Sequence, residues 1–128
     1  MKLLLDTHTA IWLMSKKEML SFEVKTILLD HANTLHVSII SAWEVAIKAS
    51  LGKLPEFNGG AKAFLTKVNA MPIVLIPVMP QHVEMVETLP FHHRDPLDWL
   101  LIATAMADGM TILTADKNIY KYDVPFEW

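Results

Sequence analysis

Four acidic residues stand where predicted strands end or predicted helices begin. These residues are Asp6, Glu44, Asp98 and Asp116. Carboxylates that lie within a few ångströms of one another repel unless a divalent cation neutralises them. Oxygen ligands favour Mg²⁺ or Mn²⁺ over zinc, and the chain contains no cysteine thiolate. The set therefore predicts metal-assisted hydrolysis of a phosphodiester, in which the cation activates water and offsets charge on the phosphate.

The elements that carry these acids are expected to bring them to one edge of a sheet. Asp6 ends the first predicted strand, and Asp116 lies just past the fourth. Glu44 is in the first turn of the helix after the second strand, and Asp98 is in the first turn of the helix before the fourth strand. Strand ends and helix starts meet at the same edge of a parallel sheet, where ligands bind. We therefore expect the four side chains to converge.

Three of the acids also have a purely structural interpretation. Ser41 and Glu44 match a capping box, with Ser41 at the N-cap and Glu44 at the third helical position. Asp116 has the residue type of a turn former, and Asp6 could cap the loop that follows its strand. An acid at the end of an apolar central strand has the least structural reason to be there.

The third acidic position is split between two residues. Asp95, followed by Pro96, matches a helix start in which the Asp95 side chain accepts backbone N–H groups. Because Asp95 would then use its oxygens on the backbone, Asp98 is the preferred metal ligand. Asp95 is kept as the alternative.

Polar residues beside the acids are candidates to assist the substrate. Thr7 and Thr114 flank the expected cleft, where each hydroxyl would bind a metal-bound water or cap the adjacent backbone. Arg94 belongs to the run His92-His93-Arg94, which is either a basic feature that contacts phosphate or an exposed polar loop. No His-Glu-x-x-His motif is present, and a histidine-ligated metal site is not predicted.

Short apolar runs alternate with amphipathic stretches along the chain. The runs predict strands at Leu3–Leu5, Leu35–Ile39, Ile73–Ile76, Thr111–Leu113 and, at the edge, Tyr122–Val124. The amphipathic stretches predict helices at Thr9–Met14, Phe22–His31, Ser41–Leu51, Ala61–Val68, Pro80–Leu89 and Pro96–Asp108. Gly52 and Gly109 are expected to end the third and sixth helices. The alternation predicts an α/β fold, a three-layer α/β/α sandwich around a mainly parallel sheet of four to five strands.

The composition limits the kind of protein. The 128 residues, 52% of them hydrophobic, fit a single domain over residues 1–128 and exclude a disordered chain. The lack of cysteine excludes a disulfide-built fold. A net charge of −3 does not indicate a nucleic-acid binder, but it allows one if the carboxylates gather in a cleft and the lysines lie elsewhere. No apolar run is long enough to span a bilayer, and we expect a cytoplasmic protein without membrane contact.

The acids lie in four motifs that resemble, in order, those of the PIN-domain (PilT N-terminus) family. The motifs are Leu4-Leu5-Asp6-Thr7-His8, Ser41-x-x-Glu44, His93-Arg94-Asp95-Pro96-Leu97-Asp98 and Thr111-Ile112-Leu113-Thr114-Ala115-Asp116. They are most similar to those of VapC-type toxins from toxin–antitoxin pairs. Many relatives carry the third acid where this chain has Trp99, one residue after Asp98; the Asp-Pro-x-Asp form occurs in a subgroup.

The resemblance implies a Mg²⁺- or Mn²⁺-dependent endoribonuclease whose metal and catalytic residues are Asp6, Glu44, Asp98 and Asp116. It also implies an RNA substrate, a cognate antitoxin protein that blocks the enzyme, and a homodimer. Large apolar residues early in the chain are candidates for an antitoxin-binding groove, although core packing is expected for at least half of them. These residues are Trp12, Met14, Met19 and Trp43.

Two other functions stay open from the residues alone. The chain could be a non-catalytic PIN-like binding module whose acids are structural caps. It could also be a small phosphatase with Asp6 as nucleophile, although such enzymes usually carry a second acid where this chain has His8. Carboxylate-dependent Mn²⁺ binding would separate the enzyme from the module, and a trapped aspartyl-phosphate would indicate the phosphatase.

Overall fold

The computed structural model describes residues 1–128 and contains a five-stranded sheet in which all strands run parallel. The strands are β1 (Lys2–Leu5), β2 (Thr34–Ser38), β3 (Ile73–Ile76), β4 (Thr111–Leu113) and β5 (Phe126–Glu127). Their order across the sheet is β3-β2-β1-β4-β5, so β1 is central. The α-helices are α1 (Thr7–Ser15), α2 (Phe22–Leu29), α3 (Ile39–Ser50), α4 (Gly60–Asn69), α5 (Pro80–Val86) and α6 (Pro96–Asp108). Short 3₁₀ helices cover Lys17–Met19 and Ile119–Lys121.

The central strand explains the three layers. Side chains on a strand alternate between faces, and Leu3 and Leu5 belong to one buried cluster while Leu4 belongs to another. The first cluster is completed by residues of α1 to α4, and the second chiefly by α6 and the segment after β4. A strand that is apolar on both faces therefore requires cover on both sides, as the sequence predicted. This confirms the α/β/α sandwich with a parallel sheet.

The third helix begins earlier than the capping-box interpretation requires. Ser38, not Ser41, is the N-cap of α3, and its hydroxyl accepts a hydrogen bond from the Ile40 N–H at 3.1 Å. Strand β2 consequently ends at Ser38 rather than Ile39. Ser41 lies inside α3, fully buried. The capping box of Ser41 and Glu44 is therefore wrong, and both side chains are free to serve the interior.

The C-terminal edge strand also lies elsewhere than predicted. Tyr122 and Val124 are buried against α6 instead of pairing with a neighbour. The strand forms four residues later, where Phe126 is the register partner of Ile112 in β4. The apolar character of Tyr122–Val124 reflects core burial, which the period of so short a segment cannot distinguish from strand pairing.

Helix ends follow local chemistry. Gly109 adopts φ 65° and ends α6 as predicted, because a left-handed residue stops a helix and glycine adopts it without strain. Helix α1 starts at Thr7, two residues before the predicted start, because Asp6 caps it. None of these helices combines the length and the apolar surface that a bilayer crossing requires.

We predict that Leu4→Ala lowers the free energy of unfolding by about 2–5 kcal/mol, because it leaves a cavity at the centre of the sheet. Urea denaturation followed by circular dichroism measures the change. Val74→Ala on the outer strand β3, where the side chain is 53% exposed, is the control and should cost less than about 1 kcal/mol. Equal losses for the two variants would contradict the central role of β1.

Candidate metal centre

The order of the strands creates one crevice at the carboxyl edge of the sheet. Chain connections from β1 lead to β2 on one side, while β4 lies on the other. Such a reversal leaves an opening beyond the strand ends, where α/β proteins bind ligands. Asp6 follows β1 at this point, and Asp116 follows β4. The Asp6 N–H donates to the Leu113 carbonyl at 3.2 Å, so the two strands stay paired up to the acid.

Asp6 is buried and fully hydrogen-bonded. One carboxylate oxygen accepts the Thr9 N–H at 2.8 Å, which makes Asp6 the N-cap of α1. The other accepts the Thr114 hydroxyl. Burial raises the pKa of Asp6 above its ordinary value, and the bonds from Thr114 and Thr9 oppose the rise. Asp6 therefore both caps helix α1 and lies at the end of the central strand, as each of the two interpretations of the sequence required.

Glu44 is held in place by side chains of α1 and α3. Its Oε1 accepts the Thr7 hydroxyl at 2.7 Å, and Thr7 Oγ1 is also hydrogen-bonded to Ser41 Oγ at 3.0 Å. Its Oε2 forms an ion pair with Lys48 Nζ at 2.6 Å, one turn further along the helix. Glu44 is only 7% exposed, and each of its two carboxylate oxygens has a partner within the chain.

Asp98 lies in the first turn of α6 among other acids. Burial raises its pKa to about 7, the bond from His93 opposes the rise, and the negative charges of Asp95, Asp116 and Glu44 add to it. These repulsions arise from residues on α3, α6 and the loop after β4. Three elements therefore direct carboxylates toward one region.

Asp95 serves as the N-cap of α6, as its sequence context predicted. Its Oδ1 accepts N–H groups of Leu97 at 3.0 Å and Asp98 at 3.3 Å. It nevertheless stays near the centre, because His93, Asp95 and Asp98 can each present a ligand atom within 4.8 Å of the others. The structure thus does not separate Asp95 from Asp98 by position, but it commits one oxygen of Asp95 to the helix.

The loop after β4 completes the crevice. Asp116 accepts the Asn118 N–H at 2.9 Å through Oδ1, which agrees with a turn former, and its own N–H donates to Thr114 Oγ1 at 3.0 Å. The Tyr120 hydroxyl donates to the Thr114 carbonyl at 2.9 Å. The pKa of Tyr120 is raised by burial and by the charges of Asp6 and Asp116. Both acids therefore face the same volume.

An open cavity of about 300 Å³ lies beside Asp6 and Asp116. His8, Trp12 and Ala115 form the rest of its wall. Arg94 is exposed and makes no hydrogen bond or ion pair with the acids. Thr7 and Thr114, predicted to assist the substrate, contact Glu44 and Asp6 directly.

The donor set fits a hard divalent cation. Apart from a ring nitrogen of His93, the ligand atoms available are carboxylate oxygens, and burial raises the pKa values of Asp6 and Asp98. A cation that prefers oxygen would relieve this repulsion. His93 is the residue that the sequence did not place at the site; its position in the motif, five residues before Asp98, was the available signal.

We predict that the metal-free protein loses stability as the pH rises from about 4 to 7. In that range the unfolded chain releases the Asp98 proton, while the folded chain, with a pKa of about 7 against 3.8, keeps it. The free energy of unfolding then falls by at most about 1.4 kcal/mol per pH unit for this group, and Asp6 acts in the same direction.

Urea unfolding in the presence of a chelator at several pH values measures this slope. Asp98→Asn should flatten it and raise stability at pH 8. Asp30→Asn, an exposed residue that caps the end of α2, should leave it unchanged. A slope of the opposite sign in the wild type would contradict the burial of these carboxyls.

Comparison with known proteins agrees with this architecture. The family model of the PIN domain matches residues 3–125. No curated protein sequence matches the chain significantly. Among solved structures, VapBC2 from Rickettsia felis bound to a promoter DNA fragment is similar over 100% of this chain and 99% of that chain, with a TM-score of 0.74 and 19% identity. DNA-bound VapBC from Salmonella typhimurium is similar over 99% of this chain and 97% of that chain, with a TM-score of 0.70 and 16% identity. VapBC-1 from nontypeable Haemophilus influenzae is similar over 99% of this chain and 97% of that chain, with a TM-score of 0.69 and 18% identity.

The family match extends over almost the whole length, and the sheet order and the acids at the carboxyl edge agree with it. The chain belongs to the PIN domain family.

Proposed function

We propose that this chain is a divalent-metal-dependent endoribonuclease and the toxin of a toxin–antitoxin pair. The observation that carries the proposal is the convergence of buried carboxylates from separate elements on the crevice beside β1 and β4. Membership of the PIN family and the fold shared with VapBC structures support it. Such an enzyme would act in the cytoplasm, where its RNA is found.

The four acids would hold Mg²⁺ or Mn²⁺, with Asp95 as the alternative to Asp98. When bound, such a cation supplies a Lewis acid that activates water and offsets charge on the scissile phosphate. The chain itself keeps the acids in place: Thr9 and Thr114 hold Asp6, while Thr7 and Lys48 hold Glu44.

The RNA would enter over the open cavity beside Asp6. Rings of His8 and Trp12 form part of its wall, and unpaired bases stack on such rings. Arg94 and Lys117 are exposed near the third and fourth motifs and are proposed phosphate contacts. Attack by water on the phosphorus, with the bond to the 3′-oxygen breaking, would leave a 5′-phosphate and a 3′-hydroxyl, whereas attack by the RNA 2′-hydroxyl would expel the 5′-oxygen and leave a cyclic phosphate.

We predict that Asp6→Asn lowers cleavage of a structured RNA pool by more than about 100-fold, because losing a ligand should cost more than losing an outer partner of a ligand. Cleavage is measured with Mg²⁺, with Mn²⁺ and with chelator, and the ends are mapped. Asp30→Asn is the matched control. The asparagine side chain of the variant keeps one oxygen that can accept the Thr9 N–H and cap α1, so circular dichroism should show an unchanged fold.

The same experiment separates the other functions. Cleavage that survives both chelator and Asp6→Asn would overturn the metal-dependent assignment. Hydrolysis of phosphomonoesters with a trapped aspartyl-phosphate would indicate a phosphatase with Asp6 as nucleophile. Failure to bind Mn²⁺ together with a lack of cleavage would indicate a non-catalytic binding module.

A groove on the first two helices is the proposed site for an antitoxin segment. Leu13, Leu20 and Leu28 line a cavity of about 230 Å³ flanked by Lys17 and Lys25. These apolar and basic groups suit a helix that carries apolar anchors and acidic flanks.

The four apolar residues proposed from sequence for this role divide between core and surface. Trp12 and Met14 pack against the core, which leaves them little part in the groove. Met19 is half exposed and lies in sequence between Lys17 and Leu20, two residues that line the groove. Trp43 lines a different groove.

A second apolar surface is the proposed homodimer face. Trp43 of α3, Val83 of α5 and Phe91 are each about half exposed around a groove of about 750 Å³ that Trp99 also lines. Contiguous exposed apolar surface of this kind marks an interface. A second copy of the chain would present the same rings and cover them.

We predict that the two surfaces can be inactivated separately. Leu29→Glu, at a further leucine that lines the first groove, should abolish binding of the cognate antitoxin, while the chain stays dimeric. Val83→Glu should yield monomers that still bind the antitoxin. Light scattering with size exclusion, with and without antitoxin, measures both; each variant is the other's control, and loss of both properties in either variant would contradict the division.

A further inference from the structure

His93 contacts the third acid directly from the loop before α6. Its Nε2 lies 2.9 Å from Asp98 Oδ2, and its Nδ1 lies 2.8 Å from the Tyr122 hydroxyl. His93 is partly buried, and Tyr122 is almost completely buried. Asp98 Oδ1 forms no hydrogen bond within the chain.

The direction of each hydrogen bond follows from the groups present. An ionised Asp98 accepts only, so Nε2 of His93 must donate to it. In the neutral imidazole Nδ1 is then an acceptor and receives a hydrogen bond from the Tyr122 hydroxyl. The Tyr122 oxygen in turn accepts the His93 backbone N–H at 3.3 Å. The chain Tyr122–His93–Asp98 therefore fixes one tautomer and one ring orientation.

The backbone that carries His93 is held as firmly as its ring. Trp99 Nε1 donates to the His93 carbonyl at 2.9 Å. The Trp99 ring also packs on Phe91, whose φ of 46° is rare for a residue with a side chain. Conformations of this kind persist where surrounding contacts determine them, and they cluster at functional sites.

We propose that His93 and Tyr122 are positioning residues that hold Asp98 by one oxygen and leave the other free for the divalent cation. The inference rests on the proposed metal-dependent function and assigns roles to two residues outside the acidic set. Outer partners of ligands fix ligand orientation and contribute about 10–100-fold to metal affinity. Here the partner of the carboxylate is a histidine, and a tyrosine holds that histidine through its other ring nitrogen.

The same chain contains a matched pair for comparison. His82 Nε2 lies 2.8 Å from Asp108 Oδ2 at the opposite end of α6, and its Nδ1 accepts the Met79 N–H at 3.0 Å. This pair has the same geometry but stands 10 residues along the helix from Asp98 and has no acidic cluster around it. It ties α5 to α6.

The test is the affinity for Mn²⁺ at pH 8, measured by titration calorimetry on folded protein without RNA. We expect His93→Ala to weaken binding about 10–100-fold and Tyr122→Phe to weaken it about 3–10-fold, since the ring stays. His92→Ala, whose ring also contacts Tyr122, and His82→Ala should bind as the wild type does. The ¹⁵N shifts of His93 in metal-free protein at pH 8 should show the Nε2–H tautomer.

Each outcome decides between explanations. Unchanged Mn²⁺ affinity in His93→Ala and Tyr122→Phe, with the wild type binding, would overturn the positioning role alone. If His93→Ala does not fold, Tyr122→Phe decides, because it removes one hydroxyl. Absence of Mn²⁺ binding in the wild type would overturn the proposed function and the positioning role together. In a cleavage assay, the positioning role predicts that raised Mn²⁺ restores the kcat of Tyr122→Phe with an unchanged KM for RNA, which a structural defect would not do.

Discussion

The buried carboxylate of Asp6 is the constraint that ties the sheet, the first helix and the loop after β4 together. Carboxylates are costly to bury unless hydrogen bonds replace the lost water. One oxygen is satisfied by the first turn of α1 and the other by Thr114, which arrives through the pairing of β1 with β4. The central strand can therefore end in an acid only because a distant part of the chain meets it there.

The remaining acids extend this principle from one residue to a cluster. The folded chain places Asp98 where neighbouring charges and burial disfavour its ionised form. An apolar core that includes Leu101 and Ile112 offsets this cost on the same side of the sheet. Natural proteins commonly accept local instability where a site needs it. A positive charge at the carboxyl edge of the sheet would therefore reduce the repulsion between these carboxylates.

The sequence predicted those features that local chemistry decides. Leu3–Leu5 is apolar on both faces and had to be a buried strand, and Gly109 had to stop its helix. Ser38 and Ser41 are both suitable caps, and only the buried contact of Ser41 with Thr7 selects Ser38. The position of His93 in the third motif was the one signal for its contact with Asp98, whereas its contact with Tyr122, 29 residues away, follows from no spacing rule. The position of Asp6 and Asp116 beyond the ends of β1 and β4 was foreseeable from the strand pattern, whereas the hydrogen-bond partners of these acids required the tertiary structure.

The order of strands also determines when the site can exist. The middle strand is made first, but one of its two neighbours, β4, is made more than a hundred residues later, and Thr114 is 108 residues from Asp6. Pairings of this separation form slowly and only after the intervening chain is available. A nascent chain that has not yet been made as far as Thr114 therefore holds Asp6 without the hydroxyl that satisfies its second oxygen. The crevice beside β1 becomes complete only once β4 has been synthesised and has paired with that strand.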